Sequence, residues 1–276
     1  MTDGAFEEIC NYVEAELGFA TSHYNDSYLN RRISSRMRRT NSDSYETYLE
    51  TLQSEADEQE ALLDSLSINV TGFFRNPDVW SGIRSVLKQL SDSNESIHIW
   101  SAACADGREP YSLSMLVHAD PRIDESSVYI LGTDISDSAL ETARSGVYTQ
   151  SRTIDIGEQL ESLGNHERFV TERDGAFHIS DAIKDHVSFE RHDLINDEPK
   201  SGFDLVVCRN LFIYIDNAYK ESMLGTIANS LQPGGYLVIG KAETIPPQLK
   251  SAFSVHDGRL RIYQLQGSDS RTRQPQ

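Results

Sequence analysis

Lysine is scarce in this chain. It supplies six of 276 residues, against 19 arginines and 43 Asp plus Glu, and the formal net charge is −18. Nucleic-acid binding rests on clustered Lys and Arg facing phosphates, so this balance argues against a nucleic-acid substrate. Cysteine is nearly absent too. Cys10, Cys104 and Cys208 are odd in number and have no metal-ligand spacing, which points to reduced thiols in a cytoplasmic protein with no metal. Long apolar runs are missing: the most apolar stretches, Ile97 to Trp100, Leu205 to Cys208 and Leu237 to Ile239, have strand length. None approaches the ~18 residues that membrane insertion requires. The acidic start (Asp3, Glu7, Glu8) lacks the basic region of a secretory signal. There is no G-x-G-x-x-G and no Gly-Lys-Ser/Thr, so dinucleotide and triphosphate sites lose ground.

What is present is enough for a core: 38% hydrophobic residues, with 12 Tyr, 10 Phe and 2 Trp. The length allows one large domain, or a large one with a small one. A carboxylate-rich, lysine-poor surface is one route to solubility in strong salt, so a halophilic source and an ordinary acidic enzyme both fit.

The chain changes character near residue 75. Before it, apolar residues fall in helical stripes: Phe6, Ile9, Cys10, Val13 and Leu17; Leu29, Ile33 and Met37; Tyr45, Tyr48, Leu49 and Leu52; Leu62, Leu63 and Leu66. After residue 95, strands (96–101, 127–133, 203–208, 235–240) alternate with helices (109–119, 136–145, 217–231). That alternation implies βαβ units and a doubly wound parallel sheet. Asp257-Gly258 signals a closing hairpin within 254–265. Between Val147 and His192 the alternation breaks. An inserted helix is expected there, and short strand candidates at 169–171, 176–179 and 187–191 suggest a small β-excursion spanning about 168–192. The expected organisation is a helical domain over 1–75, an α/β domain over 76–266 and a frayed tail over 267–276.

Ligands of open α/β sheets sit beyond the carboxyl ends of the strands. The first such end carries Ala102-Ala-Cys-Ala-Asp-Gly-Arg-Glu-Pro-Tyr111, in which Gly107 permits a tight turn and close backbone approach. The second ends at Asp134, which can accept a ribose diol or can cap the next helix. The strand over 203–208 leads into Arg209 and Asn210, with Tyr214 four residues further on. Phe212 and Tyr214 can equally be core aromatics, and Arg209 a surface ion pair.

These stretches carry a family resemblance. Thr71-Gly-Phe-Phe-Arg75, Glu109-Pro-Tyr-Ser112, Thr133-Asp-Ile135, Ala143-Arg-Ser-Gly-Val-Tyr148, Phe203-Asp-Leu-Val-Val-Cys-Arg-Asn210 and Gly240-Lys-Ala-Glu243 stand in order. Together they resemble the chemotaxis receptor glutamate O-methyltransferase family (CheR type), over nearly the whole chain. The resemblance implies a class I, Rossmann-like methyltransferase domain preceded by a small all-α domain. The implied reaction is methyl transfer from S-adenosyl-L-methionine to glutamates on cytoplasmic receptor helices, leaving S-adenosyl-L-homocysteine.

The resemblance also assigns residues. Asn69, Thr71 and Arg75 approach the cofactor from the interdomain segment, and Glu109 and Asp134 hold its amino-acid or ribose polar groups. Asp193 and Leu194 line the adenine, and Arg209 and Asn210 the side of the 203–208 strand. Arg75 and Tyr214 match the residues that the family places near the reacting groups. Arg75 can orient the acceptor carboxylate or serve as a structural link. Three positions depart from the pattern: Arg108 replaces an acid, Asp193 an Asn, and Lys241 a small residue or His. Amino-methylating DNA enzymes carry an Asn/Asp-Pro-Pro-aromatic turn where this chain has Asn210-Leu-Phe-Ile. A class I methyltransferase acting on a small molecule or nucleic acid and a non-catalytic relative that binds the cofactor or a receptor are the alternatives.

Arg31, Arg32, Arg36, Arg38 and Arg39 crowd into nine residues of a chain otherwise poor in positive charge. They form either a solvated helix face or, through Arg32, Arg36 and Arg39, a dock for acidic receptor helices.

Overall fold

The computed structural model describes residues 2–67, 71–150 and 155–267. The chain divides into two compact units, Met1–Ile68 with Leu211–Lys220, and Asn69–Asn210 with Glu221–Gln276. Asn69, one of the expected cofactor contacts, and the tail over 268–276 lie outside the described residues.

The first unit holds four helices, α1 (Thr2–Leu17), α2 (Asp26–Thr40), α3 (Tyr45–Ser54) and α4 (Ala56–Leu66). Each apolar stripe turns inward: Ile9, Val13, Ile33, Tyr48, Leu52, Leu62 and Leu66 are fully buried. The ends follow from local chemistry. Asn41 closes α2 in the left-handed conformation (φ 56°), its N–H bonding Met37 O, and the Ser44 hydroxyl caps α3 by accepting from Thr47 N. One polar network lies inside the unit. Glu58, 5% exposed, accepts the Arg36 guanidinium on both oxygens and the Tyr48 hydroxyl at 2.6 Å.

The first unit also takes in Leu211–Lys220, a segment that the sequence attaches to the α/β domain. Asn25 N donates to Tyr214 O at 2.9 Å, Asn25 Nδ2 to Ile213 O at 3.2 Å, and Asp216 N to His23 O at 2.8 Å. Tyr24 and Ile215 form an antiparallel bridge. Main-chain groups are thus satisfied by the helical unit, as buried backbone requires.

The second unit begins with α5 (Pro77–Ser93), whose first position suits proline. It continues through β1 (Ile97–Ala102), α6 (Arg108–Ala119), β2 (Val128–Asp134), α7 (Asp137–Ser145), β3 (Val147–Thr149), α8 (Ile156–Glu161), β4 (Val170–Arg173), β5 (Ala176–Ile179), α9 (Asp181–Lys184) and β6 (Val187–Arg191). After β7 (Phe203–Cys208) come α10 (Asn217–Ser230), which enters this unit at Glu221, then β8 (Leu231–Ile239), β9 (Phe253–Asp257) and β10 (Ile262–Leu265). Seven strands form the main sheet in the order β6-β2-β1-β7-β8-β10-β9, parallel except for β10. This is the doubly wound arrangement that alternating elements imply. Its order reverses beside β1, so the loops after β1 and β7 flank the crevice.

The excursion is a separate antiparallel sheet, β3-β5-β4. One strand is reassigned. Val187–Arg191, expected within the excursion, pairs in parallel with β2 as an edge of the main sheet, Ile130 opposite Val187 through Asp134 opposite Arg191.

Candidate active site at the strand tips

The loops at the carboxyl ends of β1, β2 and β7 carry most of the expected residues. Gly107 adopts φ 85°, as the turn into α6 requires. The close approach expected of it is to the protein's own side chains: a Cβ there would lie 2.7 Å from Ala143 and 2.9 Å from Phe189. Four other loop residues, Phe74, Asn76, Ala103 and Ala105, are left-handed without being glycine, and so is Asn210 beyond β7. Such backbone costs on the order of 1–3 kcal/mol per residue and persists where the surroundings hold it.

The holding contacts are visible. The Glu109 carboxylate accepts from Ser101 Oγ at 2.9 Å and pairs with Arg209 Nη1 at 3.1 Å. Arg209 Nη2 donates to Arg75 O at 2.8 Å and to Asn76 Oδ1 at 2.9 Å. Trp80 Nε1 adds a second donor to Arg75 O at 3.1 Å. Upstream, Phe74 N donates to Ser112 Oγ at 3.0 Å, and Phe73 N to Gln159 Oε1 of α8 at 2.9 Å. The turn that presents Arg75 is therefore clamped from β7, α5, α6 and α8. Arg209 is part of this clamp, with its side chain 2% exposed, and not a surface ion pair.

Asp134 is 6% exposed, accepting Ala105 N at 2.8 Å and Ser136 N at 3.0 Å. The helix cap at α7 belongs instead to Ser136, which accepts from Ala139 N. Asp193 spends its carboxylate on its own turn, accepting Ile195 N and Asn196 Nδ2, both at 2.8 Å. Leu194 is half-buried beside it. Asn210 N donates to Glu243 Oε2 at 3.1 Å, and that oxygen also accepts Gly240 N at 2.5 Å.

Thr71 and Arg75 are half-buried. Tyr214 belongs to the first unit, where its ring packs on Tyr28 with centroids 4.8 Å apart. Arg36, expected on the docking face, is turned inward onto Glu58 with its side chain 14% exposed. Arg32 is half-buried over the Tyr28 ring, and Arg39 is exposed. Sequence reasoning missed Asn76, Ser112, Gln159 and the anchoring by Glu243. Ser112 and Glu243 stood within quoted motifs, but nothing in the spacing tied Gln159 to Phe73.

Electrostatics fit a ligand that donates hydrogen bonds and carries positive charge. Burial pushes the Glu109 carboxyl up, opposed by Arg209 and Arg75, and burial pushes Asp134 up against the backbone N–H groups of Ser136 and Ala105. Asn210 Oδ1 is buried with no hydrogen-bond partner among the described residues. Acceptors of this kind suit the ammonium and ribose hydroxyls of S-adenosylmethionine. Burial also raises the Cys104 and Cys208 thiols well above their ordinary range, so neither offers a thiolate nucleophile.

The family model described as CheR methyltransferase, SAM binding domain, matches residues 69–262, and that described as CheR methyltransferase, all-alpha domain, matches 4–67. The chain belongs to the CheR methyltransferase family. A relative named chemotaxis protein methyltransferase, from Listeria monocytogenes, is 34% identical over 84% of this chain and 87% of its own length. Chemotaxis protein methyltransferase 2 of Vibrio cholerae is 27% identical over 92% and 90%. A solved S-adenosylmethionine-dependent methyltransferase from Geobacter sulfurreducens, with S-adenosylhomocysteine, aligns with a TM-score of 0.35 at 13% identity, covering 61% of this chain and 49% of that one. Membership brings an S-adenosylmethionine-dependent methyltransferase with a role in chemotaxis. No helix among the described residues is long and apolar enough to cross a membrane.

Proposed function

We propose that the protein methylates glutamate side chains on cytoplasmic helices of chemotaxis receptors, forming methyl esters, and that it acts in the cytoplasm. The clamped Arg75 turn carries this reading: its guanidinium acts electrostatically on the buried Glu109 carboxyl, and the strained backbone on either side of Arg75 is held by four elements. Thr71, Arg75, Glu109, Asp134, Leu194, Arg209 and Asn210 would hold the cofactor. Asp193 would act through the turn it organises. The cofactor, when bound, supplies an electrophilic methyl group.

A glutamate with pKa ~4.3 is ionised at neutral pH, so the acceptor needs no general base. Its carboxylate needs aim instead. Arg75 can receive it in a two-pronged pair, and the Tyr214 hydroxyl can donate a hydrogen bond to it. Arg32 and Arg39, with the exposed Arg31 and Arg38, would meet acidic receptor helices. Arg36 would support α2 from inside.

The test uses methyl-labelled S-adenosylmethionine and a cytoplasmic receptor fragment. Label released by alkali as methanol, and lost in Arg75→Ala, is the expected result. Base-stable label would place the acceptor on nitrogen and overturn the reading.

A further inference from the structure

The arginine face of α2 and Tyr214 meet at one side chain of the first unit. The Tyr28 ring packs against Tyr214 at 4.8 Å and 45°, and the Arg32 and Arg31 guanidiniums lie 5.2 and 5.7 Å from the centre of that same ring. Tyr28 is 3% exposed, and its hydroxyl donates to Leu66 O at 2.8 Å. Tyr24 stacks on it at 5.8 Å, and Phe19 on Tyr24 at 4.9 Å. Asn25, three residues before Tyr28, holds the carbonyl of Tyr214 through its main-chain N–H and that of Ile213 through its side-chain amide. Arg32 keeps its Nε buried with no hydrogen-bond partner among the described residues.

We propose that Tyr28 is the positioning residue for Tyr214, and that Arg31 and Arg32, resting on its ring, make it the point where docking of an acidic helix is felt at Tyr214. This rests on the reading of Tyr214 given above. Carboxylates of an incoming helix compete with the aromatic face for the guanidiniums, because charge-assisted hydrogen bonds outrank cation–π contact. The ring cannot slide in response, since its hydroxyl is tied to Leu66 and Tyr24 stacks on it. What it can change is its packing on Tyr214.

The experiment uses the full chain with Tyr28→Leu, Tyr28→Phe, Tyr214→Phe and the Tyr28→Leu/Tyr214→Phe pair. Methyl transfer, S-adenosylhomocysteine affinity and thermal unfolding are followed together. Tyr28→Leu should lower kcat about tenfold with receptor KM and cofactor affinity nearly unchanged. Tyr28→Phe, which keeps the ring, should recover most of the rate. The pair should be no slower than Tyr214→Phe alone, because one residue acts through the other. Losses that multiply, or a loss confined to receptor KM, would overturn the proposal. An independent readout is a fluorotyrosine placed at position 214: its resonance should shift in Arg32→Gln, and an unmoved resonance would overturn the coupling. That shift decides the matter even if Tyr28→Leu fails to fold. It also separates this proposal from the reaction, since a wild-type protein that esterifies no receptor glutamate sinks only the latter.

Discussion

The Glu109 carboxylate and the Arg209 guanidinium, 100 residues apart in the chain, meet at 3.1 Å, and the same guanidinium holds Arg75 O and Asn76 Oδ1. The helix after β1 and the turn that carries Arg75 are thereby fixed by one buried ion pair. Removing one partner strands the other charge, which costs about 3–5 kcal/mol. Arg209→Met should therefore destabilise the protein by that order in urea unfolding and abolish S-adenosylhomocysteine binding. Adding Glu109→Gln should return much of the stability and none of the binding. A single variant as stable as wild type would refute the assignment.

Acid stability should depend on Asp120 at the end of α6. Arg122 bonds its carboxylate and Lys88 lies 3.2 Å away, holding its pKa well below the ordinary 3.8. The native state then binds fewer protons than the unfolded one, so this contribution is complete above pH 3.8 and is lost as pH falls through the lower native value. Asp120→Asn should flatten the stability profile below about pH 4. Glu109 and Asp134 work in the opposite sense. Their raised values mean a contribution present at low pH and lost as pH rises past the ordinary carboxylate range. Asp134→Asn should accordingly be tolerated better at neutral pH than at pH 4 in unfolding measurements.

Periodicity made much of this architecture readable. The stripe Phe6 to Leu17 is α1, and Phe203–Cys208 is β7 residue for residue, because a core-facing segment must repeat its apolar groups at the period of its own backbone. The strand Val187–Arg191 is legible, but the sheet it joins escaped, because its parallel partner Ile130–Asp134 lies far off in the chain and leaves no mark on an edge strand with three exposed residues. Arg36 escaped for another reason. A helical wheel ranks residues by their own helix, and the Glu58 that draws Arg36 inward sits on α4, 22 residues away. Leu211–Asp216 follows directly on β7, yet its main chain is satisfied by residues near Tyr24. Pairings such as Phe73 with Gln159, 86 residues apart, have no local signature at all.

Glu243 should govern the shape of Asn210. Its Oε2 takes N–H groups from both Asn210 and Gly240, and a Cβ at position 240 would stand 2.7 Å from that oxygen. Glu243→Ala leaves two buried donors without this acceptor, at about 1–3 kcal/mol each. Cofactor affinity, read by titration with S-adenosylhomocysteine, should fall with the stability. Glu243→Gln retains an oxygen of the same reach and should restore both. Equal damage from Gln and Ala would mean that the charge, and not the acceptor geometry, is what Asn210 needs.

Two neighbouring arginines on α2 should fail in different ways. Arg36 is half of a buried pair with Glu58, which also takes the Tyr48 hydroxyl, so Arg36→Ala strands a carboxylate in the core of the helical unit. The expected result is a loss of about 3 kcal/mol or more in unfolding free energy, with poor transfer following from instability. Arg39 is exposed in the last turn of the same helix. Arg39→Glu should keep the melting temperature, keep cofactor affinity and raise the receptor KM. The rise should shrink as salt is added, since exposed charges separated by more than ~8–10 Å are screened at ordinary ionic strength. Unchanged receptor kinetics in Arg39→Glu and in Arg31→Glu together would remove α2 from the docking surface. A receptor-specific defect in a fully stable Arg36→Ala would return Arg36 to it.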